Sequence, residues 1–308
     1  GDYMKKSFIT FITKFFSFLF LFIASSSIAF GNADDSLENR INSIISGKKA
    51  SIGVAVSGIE NNFSFSINGK KNFPMMSVYK FHIALAVLNK VDGGSLKLDE
   101  KIPLNKKDLH PGTWSPLRDK YPDGGVSIPL SEIIEYTITQ SDNNGCDILI
   151  SFAGGTEAVK KFVESKGVKD FDIKATEKEC HESWNVQYSN WSTPLSAVNL
   201  LKKFYERKII SASSTDYLMN VMIRTSTGDK RIKGLIPSSA DVAHKTGTSG
   251  TRNGITPGTN DVGIVTLPNG KHFAIAIFVS DSRESNSVNE KIIAEISKAV
   301  WDHFNKMN

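Results

Sequence analysis

Strand-like sequence lies at both ends of this chain and helix-like sequence fills its middle, an order that few folds accommodate. Near the start, "ASIGVAVSG" and "NFSFSING" alternate apolar and polar residues across a short polar turn, the pattern of a β-hairpin. From about residue 243 the pattern returns, with "DVGIVTLP" and "HFAIAIFVS" flanking "NGK" as a second hairpin signal. Between them, "SVYKFHIALAVLNKVDGG", the stretch around 130–141, "CDILISFAGG", "GTEAVKKFVESKG" and "TPLSAVNLLKKFYERK" carry apolar residues at i, i+3 and i+4, punctuated by Gly or Pro. Two further amphipathic stretches, "SLENRINSIIS" before Gly47 and "SVNEKIIAEISKAVWDHF", read as helices at either end. The expected architecture is α+β: an antiparallel sheet formed by both chain ends and flanked by helices, with an all-helical subdomain inserted. The expected division gives residues 30–75 and 223–308 to the α/β part and 76–222 to the mainly helical part. The cleft between them is the natural place for a site.

Residues 1–29 stand apart. Lys5 and Lys6 precede the apolar run "FFSFLFLFIA", which is followed by small residues up to Ala29, as in a secretory signal peptide; the residues before Met4 read as an expression remnant. The run is about ten residues, short of the roughly 18 to 20 that a spanning helix needs. A periplasmic destination without a stable membrane anchor is therefore expected. Without this leader about +3 of the formal net charge of +5 remains, too small and dispersed a surplus to argue for nucleic acid. Two cysteines, Cys146 and Cys180, permit one disulfide in an oxidising compartment without establishing it. The histidines show no metal-ligand spacing, and neither metal nor other cofactor is expected.

The stretch "MMSVYKFHIALAVLNK" at 75–90 places a lysine inside a segment that otherwise reads as a buried helix. On a helix Ser77 and Lys80 share a face and can touch. Ser77 can equally be an N-cap and Lys80 a side chain that extends to solvent. The spacing alone does not decide, since Ser46 and Lys49 repeat it at a helix end beside Gly47. Lys80, however, lies among Tyr79, Phe81, Ile83 and Ala84, where desolvation disfavours its charged form and suits it to act as base for a serine hydroxyl. Two further motifs follow in order, "SDN" at Ser141, Asp142, Asn143 and "KTG" at Lys245, Thr246, Gly247. The trio is the signature of class A β-lactamases and penicillin-binding proteins.

On these motifs the chain resembles class A serine β-lactamases over essentially its whole length after the leader. It looks most like the extended-spectrum PER- and VEB-like branch, through "QSDNNGCDIL", "VQYSNW" and "AHKTGTSG". The resemblance implies a β-lactamase/transpeptidase-like fold and a monomer that hydrolyses penicillins and cephalosporins through an acyl-serine intermediate. It implies Ser77 as nucleophile, with the backbone N–H groups of Ser77 and Thr248 as oxyanion hole. Ser141 relays a proton to the lactam nitrogen, and Asn143 bonds the substrate amide and Lys80. Lys245 supplies positive field, while Thr246, Thr248 and Arg231 take the substrate carboxylate, with Arg252 as a rival to Arg231.

Hydrolysis also needs a group that activates water, and Glu177 matches the family's general base, with Glu179 two residues on as the competitor. Ala175 and His181 stand where most of the family has arginine and asparagine, and Asp147 where an aspartate marks the same branch, so a remodelled loop is expected. His181 either positions the water with Glu177 or is a packed surface residue. Trp114 either forms an aromatic wall of the cleft or is an exposed loop residue. Two other readings share the motifs: a D,D-peptidase, and a sensor domain that stays acylated.

Overall fold

The computed structural model describes residues 32–306, with side chains from residue 37. The leader expected at 1–29 lies outside the described residues. The chain divides into two compact units, 1–39 and 40–308. The described part of the first is the opening of helix α1 (Asn32–Ile45), and the second carries everything that follows.

Strands β1 (Ser51–Gly58) and β2 (Ser64–Ile67) form the first hairpin. Strand β3 (Phe73–Pro74) leads through a 3₁₀ turn, Met76–Val78, into helix α2 (Tyr79–Asp92). There follow β4 (Lys101–Asn105), α3 (Pro116–Lys120), β5 (Gly124–Pro129), α4 (Leu130–Thr139), α5 (Asn143–Ala153) and α6 (Thr156–Ser165). Next come β6 (Phe171–Asp172), α7 (Glu177–Glu182), β7 (Trp191–Ser192), α8 (Pro194–Tyr205) and α9 (Ala212–Ile223). The chain closes with β8 (Val242–Thr248), β9 (Thr256–Thr266), β10 (His272–Ser282) and α10 (Asn286–Lys306).

The main sheet is antiparallel in the order β2-β1-β10-β9-β8, and Val54 lies opposite Ile277, so the two chain ends are neighbours in one sheet as the sequence led us to expect. Its inner strands are buried almost continuously instead of alternating, the pattern of a sheet covered on both faces. Phe273 and Phe278 lie five residues apart on β10 and so point to opposite faces. Phe273 stacks on Phe304 of α10 at 4.9 Å, and Phe278 on Phe73 at 5.7 Å. Helix α8 packs on β1 and β10, and α9 on β8.

Helix α2 is buried from Tyr79 to Leu88, apolar on every side, and packs against α4, α5 and α6 as the axis of the helical region. His82 within it is fully buried, and burial lowers its pKa to about 4, so it fills the core as a neutral ring. A short sheet in the order β3-β7-β6 ties the segment before α2 to the segment that carries α7. That tie places Glu177 relative to Ser77.

Candidate active site

Between Phe73 and Leu88 every residue is buried except Ser77. The sequence suggests Ser77 as a helix opener. In the structure it sits one step earlier, inside the 3₁₀ turn, and makes no capping bond. The physical reason is Met76, whose φ of 48° breaks the helical run and leaves Ser77 facing out of the core. Such a backbone costs roughly 1–3 kcal/mol and persists only where its surroundings hold it. Here Asn260 Nδ2 donates to the carbonyls of Pro74 (2.8 Å) and Met75 (3.1 Å), and Asn190 accepts from Met75 N at 2.8 Å. Gly247 completes the clamp, because any Cβ there would lie 2.3 Å from the Met75 carbonyl oxygen. Gly247→Ala is expected to destabilise the fold by about 1–3 kcal/mol through this overpacking and to displace the Ser77 turn. Chemical denaturation together with kcat/KM checks both effects.

Lys80 is fully buried, one turn after Ser77, and its Nζ meets four oxygens. It donates to Ser77 Oγ (3.0 Å), the Ser141 carbonyl (2.8 Å) and Asn143 Oδ1 (2.5 Å). Glu177 Oε1 lies 3.0 Å away as an ion pair, off hydrogen-bonding geometry. An ammonium has three protons, so four acceptors around it make a junction at which a proton can be handed between serine and carboxylate.

Ser141 lies between two lysines. Its carbonyl faces Lys80 while its hydroxyl accepts from Lys245 Nζ at 2.9 Å. A φ of 59° lets one residue present both groups inward. The motif's Asp142 is buried and caps α5 through Gly145 N (2.8 Å). It also accepts from Leu117 N (2.7 Å) and Ser115 Oγ (2.9 Å), fixing the Trp114 segment against the site. Burial pushes its carboxyl above the usual range, and these donors oppose the rise. Asn143 is held from its other side by Nδ2 donating to Thr113 Oγ1 at 2.7 Å. Lys245 is fully buried, and desolvation, followed by the charge of Lys80, drives its pKa well below the ordinary lysine value.

The loop that carries Glu177 is closed at its base by β6, β7 and β3. Inside it Asn190 accepts from Lys174 N (2.8 Å) and Ala175 N (2.9 Å) and donates to the Ala175 carbonyl (2.9 Å). Thr176 and Glu179 form a capping box: Glu179 Oε2 accepts from Thr176 N at 2.8 Å, and Thr176 Oγ1 from Glu179 N at 3.2 Å. Glu179 is therefore turned back onto the start of α7, while Glu177 faces Lys80. Asp147 stitches the same helix start to α5, accepting Glu177 N on Oδ1 (2.7 Å) and Lys178 N on Oδ2 (2.9 Å). Burial, with a smaller contribution from the Glu177 charge, raises its pKa to about 6 against the pull of those two N–H donors.

A cleft of about 460 Å³ opens over Ser77, and Asn143, Glu177, Thr248, Trp184 and Arg252 are among its walls. Thr246 is buried against Thr227, the two hydroxyls 2.7 Å apart. Thr248 is exposed to the cleft, and its ladder position explains its N–H. Ser249 N bonds Gly258 O at 2.9 Å, so Thr248, one residue earlier, turns its N–H away from β9, off the sheet edge that β8 forms. Arg231 is buried behind β8. It donates to the carbonyls of Gly247 (3.2 Å) and Asn260 (3.0 Å) and to Thr248 Oγ1 (2.8 Å), and pairs with Glu290 at 3.3 Å.

Trp114 is 62% exposed, and its indole donates to the Gln140 carbonyl at 2.8 Å. The aromatic residues on the cleft wall are Tyr79 and Trp184, with Arg252 5.8 Å over the Trp184 ring. His181 is exposed at the end of α7, on the cleft wall four residues after Glu177. The two cysteines are unbridged, Cys146 buried with its thiol 3.6 Å from the Tyr79 hydroxyl and Cys180 on the cleft wall. Among the described residues, no group of three or more His, Cys, Asp or Glu side chains could hold a metal ion. Sequence reasoning passed over Asn190, Thr113 and Trp184. A buried loop asparagine that serves backbone groups leaves no periodic signal, and neither does Thr113 in its loop or Trp184 at the start of a short 3₁₀ turn, Trp184–Ser189.

Residues 36–304 match the model of the family described as the beta-lactamase enzyme family. The chain is 43% identical over 281 residues to beta-lactamase VEB-1 of Pseudomonas aeruginosa, covering 90% of this chain and 94% of that protein. It is 39% identical over 281 residues to the extended-spectrum beta-lactamase PER-1 of Pseudomonas aeruginosa, with 91% of each covered. Among solved structures, the TLA-1 extended-spectrum beta-lactamase superposes with a TM-score of 0.87 at 58% identity, over 88% of this chain and 99% of that one.

Proposed function

The chain belongs to class A of the beta-lactamase enzyme family, and from that membership we propose how its cleft opens and releases a β-lactam. The reaction is hydrolysis of the β-lactam amide of penicillins and cephalosporins, extended-spectrum cephalosporins included, through an acyl-enzyme on Ser77, and it confers antibiotic resistance. The observation that carries this reading is the approach of Lys80 Nζ to Ser77 Oγ on one side (3.0 Å) and Glu177 Oε1 on the other (3.0 Å).

In acylation Ser77 Oγ bonds the lactam carbonyl carbon and its proton passes to Lys80, which acts in this step as the neutral amine. The negative oxygen is received by the N–H groups of Ser77 and Thr248, and each such donor is worth about 10²- to 10³-fold in rate. As the C–N bond breaks, the nitrogen takes the proton of Ser141, and Lys80 restores Ser141 with the proton it received from Ser77. Because Lys245 donates to Ser141 Oγ, that hydroxyl's own proton is free to point at the substrate. Asn143 Nδ2 offers a bond to the substrate's side-chain amide. The substrate carboxylate is taken by Thr248 with Thr246 and Lys245. Arg231 acts from behind: it donates to Thr248 Oγ1, which leaves the Thr248 proton for the carboxylate.

In deacylation Glu177 removes a proton from water, whose oxygen bonds the acyl carbonyl carbon. The bond to Ser77 Oγ then breaks, and the serine recovers its proton. His181 lies on the same wall and helps hold the water. Thr176 and Glu179 are spent on the cap, which supports Glu177 as the base. Export to the periplasm through the leader and action as a monomer complete the proposal; among the described residues no helix is long and apolar enough to cross a membrane.

Quenching the reaction with a penicillin early and mapping the adduct by mass spectrometry is expected to place it on the peptide that carries Ser77. A modified protein with Ser77 untouched would refute the assignment.

Asp147 gives the reaction a pH dependence. When protonated it loses a clean acceptor for one of its two N–H donors, so the start of α7 loosens beneath Glu177, Lys178 and the nearby Lys80. Deacylation is therefore expected to slow as pH falls through about 6, and the step attributable to Asp147 should vanish in Asp147→Asn. The sign for stability is opposite. A carboxyl whose folded pKa is raised binds its proton more tightly in the fold, so this group adds stability as pH falls from about 7 towards 5. Single-turnover kinetics and melting curves over that range separate the two effects.

A further inference from the structure

Two cavities adjoin across Glu177, and a third adjoins the second of them at His110, Asp147 and Lys178. The cleft over Ser77 shares Thr113, Asn143, Glu177, His181 and Glu182 with a chamber of about 30 Å³. That chamber shares His110, Asp147 and Lys178 with an outer groove of about 420 Å³, none of whose walls belongs to the Ser77 cleft. The chamber's size matters, because about 10–15 Å³ open to a water-sized probe is enough to hold one water. Two imidazoles, three carboxylates and two amides belong to the residues around it, enough to supply the two to four polar partners that a held water needs.

We propose that the chamber and outer groove form a rear water channel, through which the water consumed in each deacylation reaches Glu177 past His110 while the acyl group fills the front cleft. The inference rests on the hydrolase reading. Every turnover removes one water, its oxygen going into the released acid and its proton to Glu177. The acyl group lies over Ser77, between the general base and bulk solvent on the front side. A supply from behind needs a passage that reaches Glu177 away from the front cleft: the chamber is lined by Glu177, and the outer groove meets the chamber at His110, Asp147 and Lys178 without touching a residue of the Ser77 cleft. His110 stands at the junction. Its backbone is fixed independently of its ring, by N–H to Asn144 Oδ1 (3.0 Å) and by Arg118 Nη1 to its carbonyl (2.8 Å), so the side chain can be exchanged without releasing the loop.

The test is a pair of plugging variants, His110→Phe and His110→Trp, assayed for acylation by stopped flow and for deacylation by decay of the adduct in intact-mass spectra. Filling the junction is expected to slow deacylation about tenfold, in the range for losing an ordered water whose bonds are not replaced. The larger indole should act more strongly, with the acylation rate constant and melting temperature unchanged. Two unchanged rate constants would overturn the channel. Acylation and deacylation slowing together would overturn it equally, since a merely structural residue gives that result. A wild-type protein that forms no adduct at all would overturn the hydrolase reading itself, so the two failures are distinguishable.

Discussion

Glu177→Ala is expected to leave a protein that takes up one equivalent of a penicillin on Ser77 and then releases it about 10³-fold more slowly, within the range for loss of a general base. The geometry explains why only one half of the reaction suffers. Lys80 keeps its bonds to Ser77, Ser141 and Asn143 when the carboxylate goes, so the nucleophile stays oriented. The α7 start keeps its Thr176–Glu179 box and its bonds to Asp147, since Glu177 contributes only a backbone N–H to that anchoring. The adduct should therefore accumulate on a protein of unchanged fold and be visible as a persistent mass increment. Normal turnover by this variant would move the base to His181, because Glu179 is already engaged at the cap.

Ser77→Ala should abolish the adduct altogether and lower kcat by about 10⁶, the scale seen when a nucleophile that acts within a catalytic unit is deleted. Among the described residues the only bond its hydroxyl makes is the one from Lys80, so little structural penalty follows and melting should be nearly unchanged. Residues that act as a unit are not additive. A Ser77→Ala/Glu177→Ala double variant is accordingly expected to be no slower than Ser77→Ala alone. A further loss in the double variant would mean that Glu177 does something outside the deacylation of Ser77.

The order of elements was legible because it rests on short-range periodicity. The two hairpins and the helical middle each announce themselves within a dozen residues, and the pairing of β1 with β10 follows once both ends are strand-like. The convergence of Ser77, Lys80, Ser141, Asn143 and Lys245 was legible from three motifs in order, without any geometry. What spacing could not carry was the backbone. The i, i+3 relation of Ser77 and Lys80 suits a helix start as well as a 3₁₀ turn, and only the positive φ of Met76 separates the two. Sequence favoured Glu177 over Glu179 through the family resemblance alone, since residues two apart on a helix start point in different directions and the capping box decides which one turns back onto the helix. Arg231 was picked out as a cation for the substrate carboxylate, and in the structure it is buried and donates to Thr248 Oγ1. Trp114 lies in a loop and Trp184 opens a short 3₁₀ turn, and neither setting has a period from which exposure can be read. The cysteines differ for the same reason: an even count in an exported chain says nothing of where the two thiols point.

The chemistry proposed here differs from that of a peptidase or a sensor only after the acyl-enzyme has formed. The direct measurement is the stoichiometry of purified protein with excess chromogenic cephalosporin, followed by absorbance and by intact mass at exhaustion. Continuous hydrolysis through many equivalents, ending in unmodified protein, is the expected result. A burst of one equivalent that stalls with the adduct still on Ser77 would contradict it.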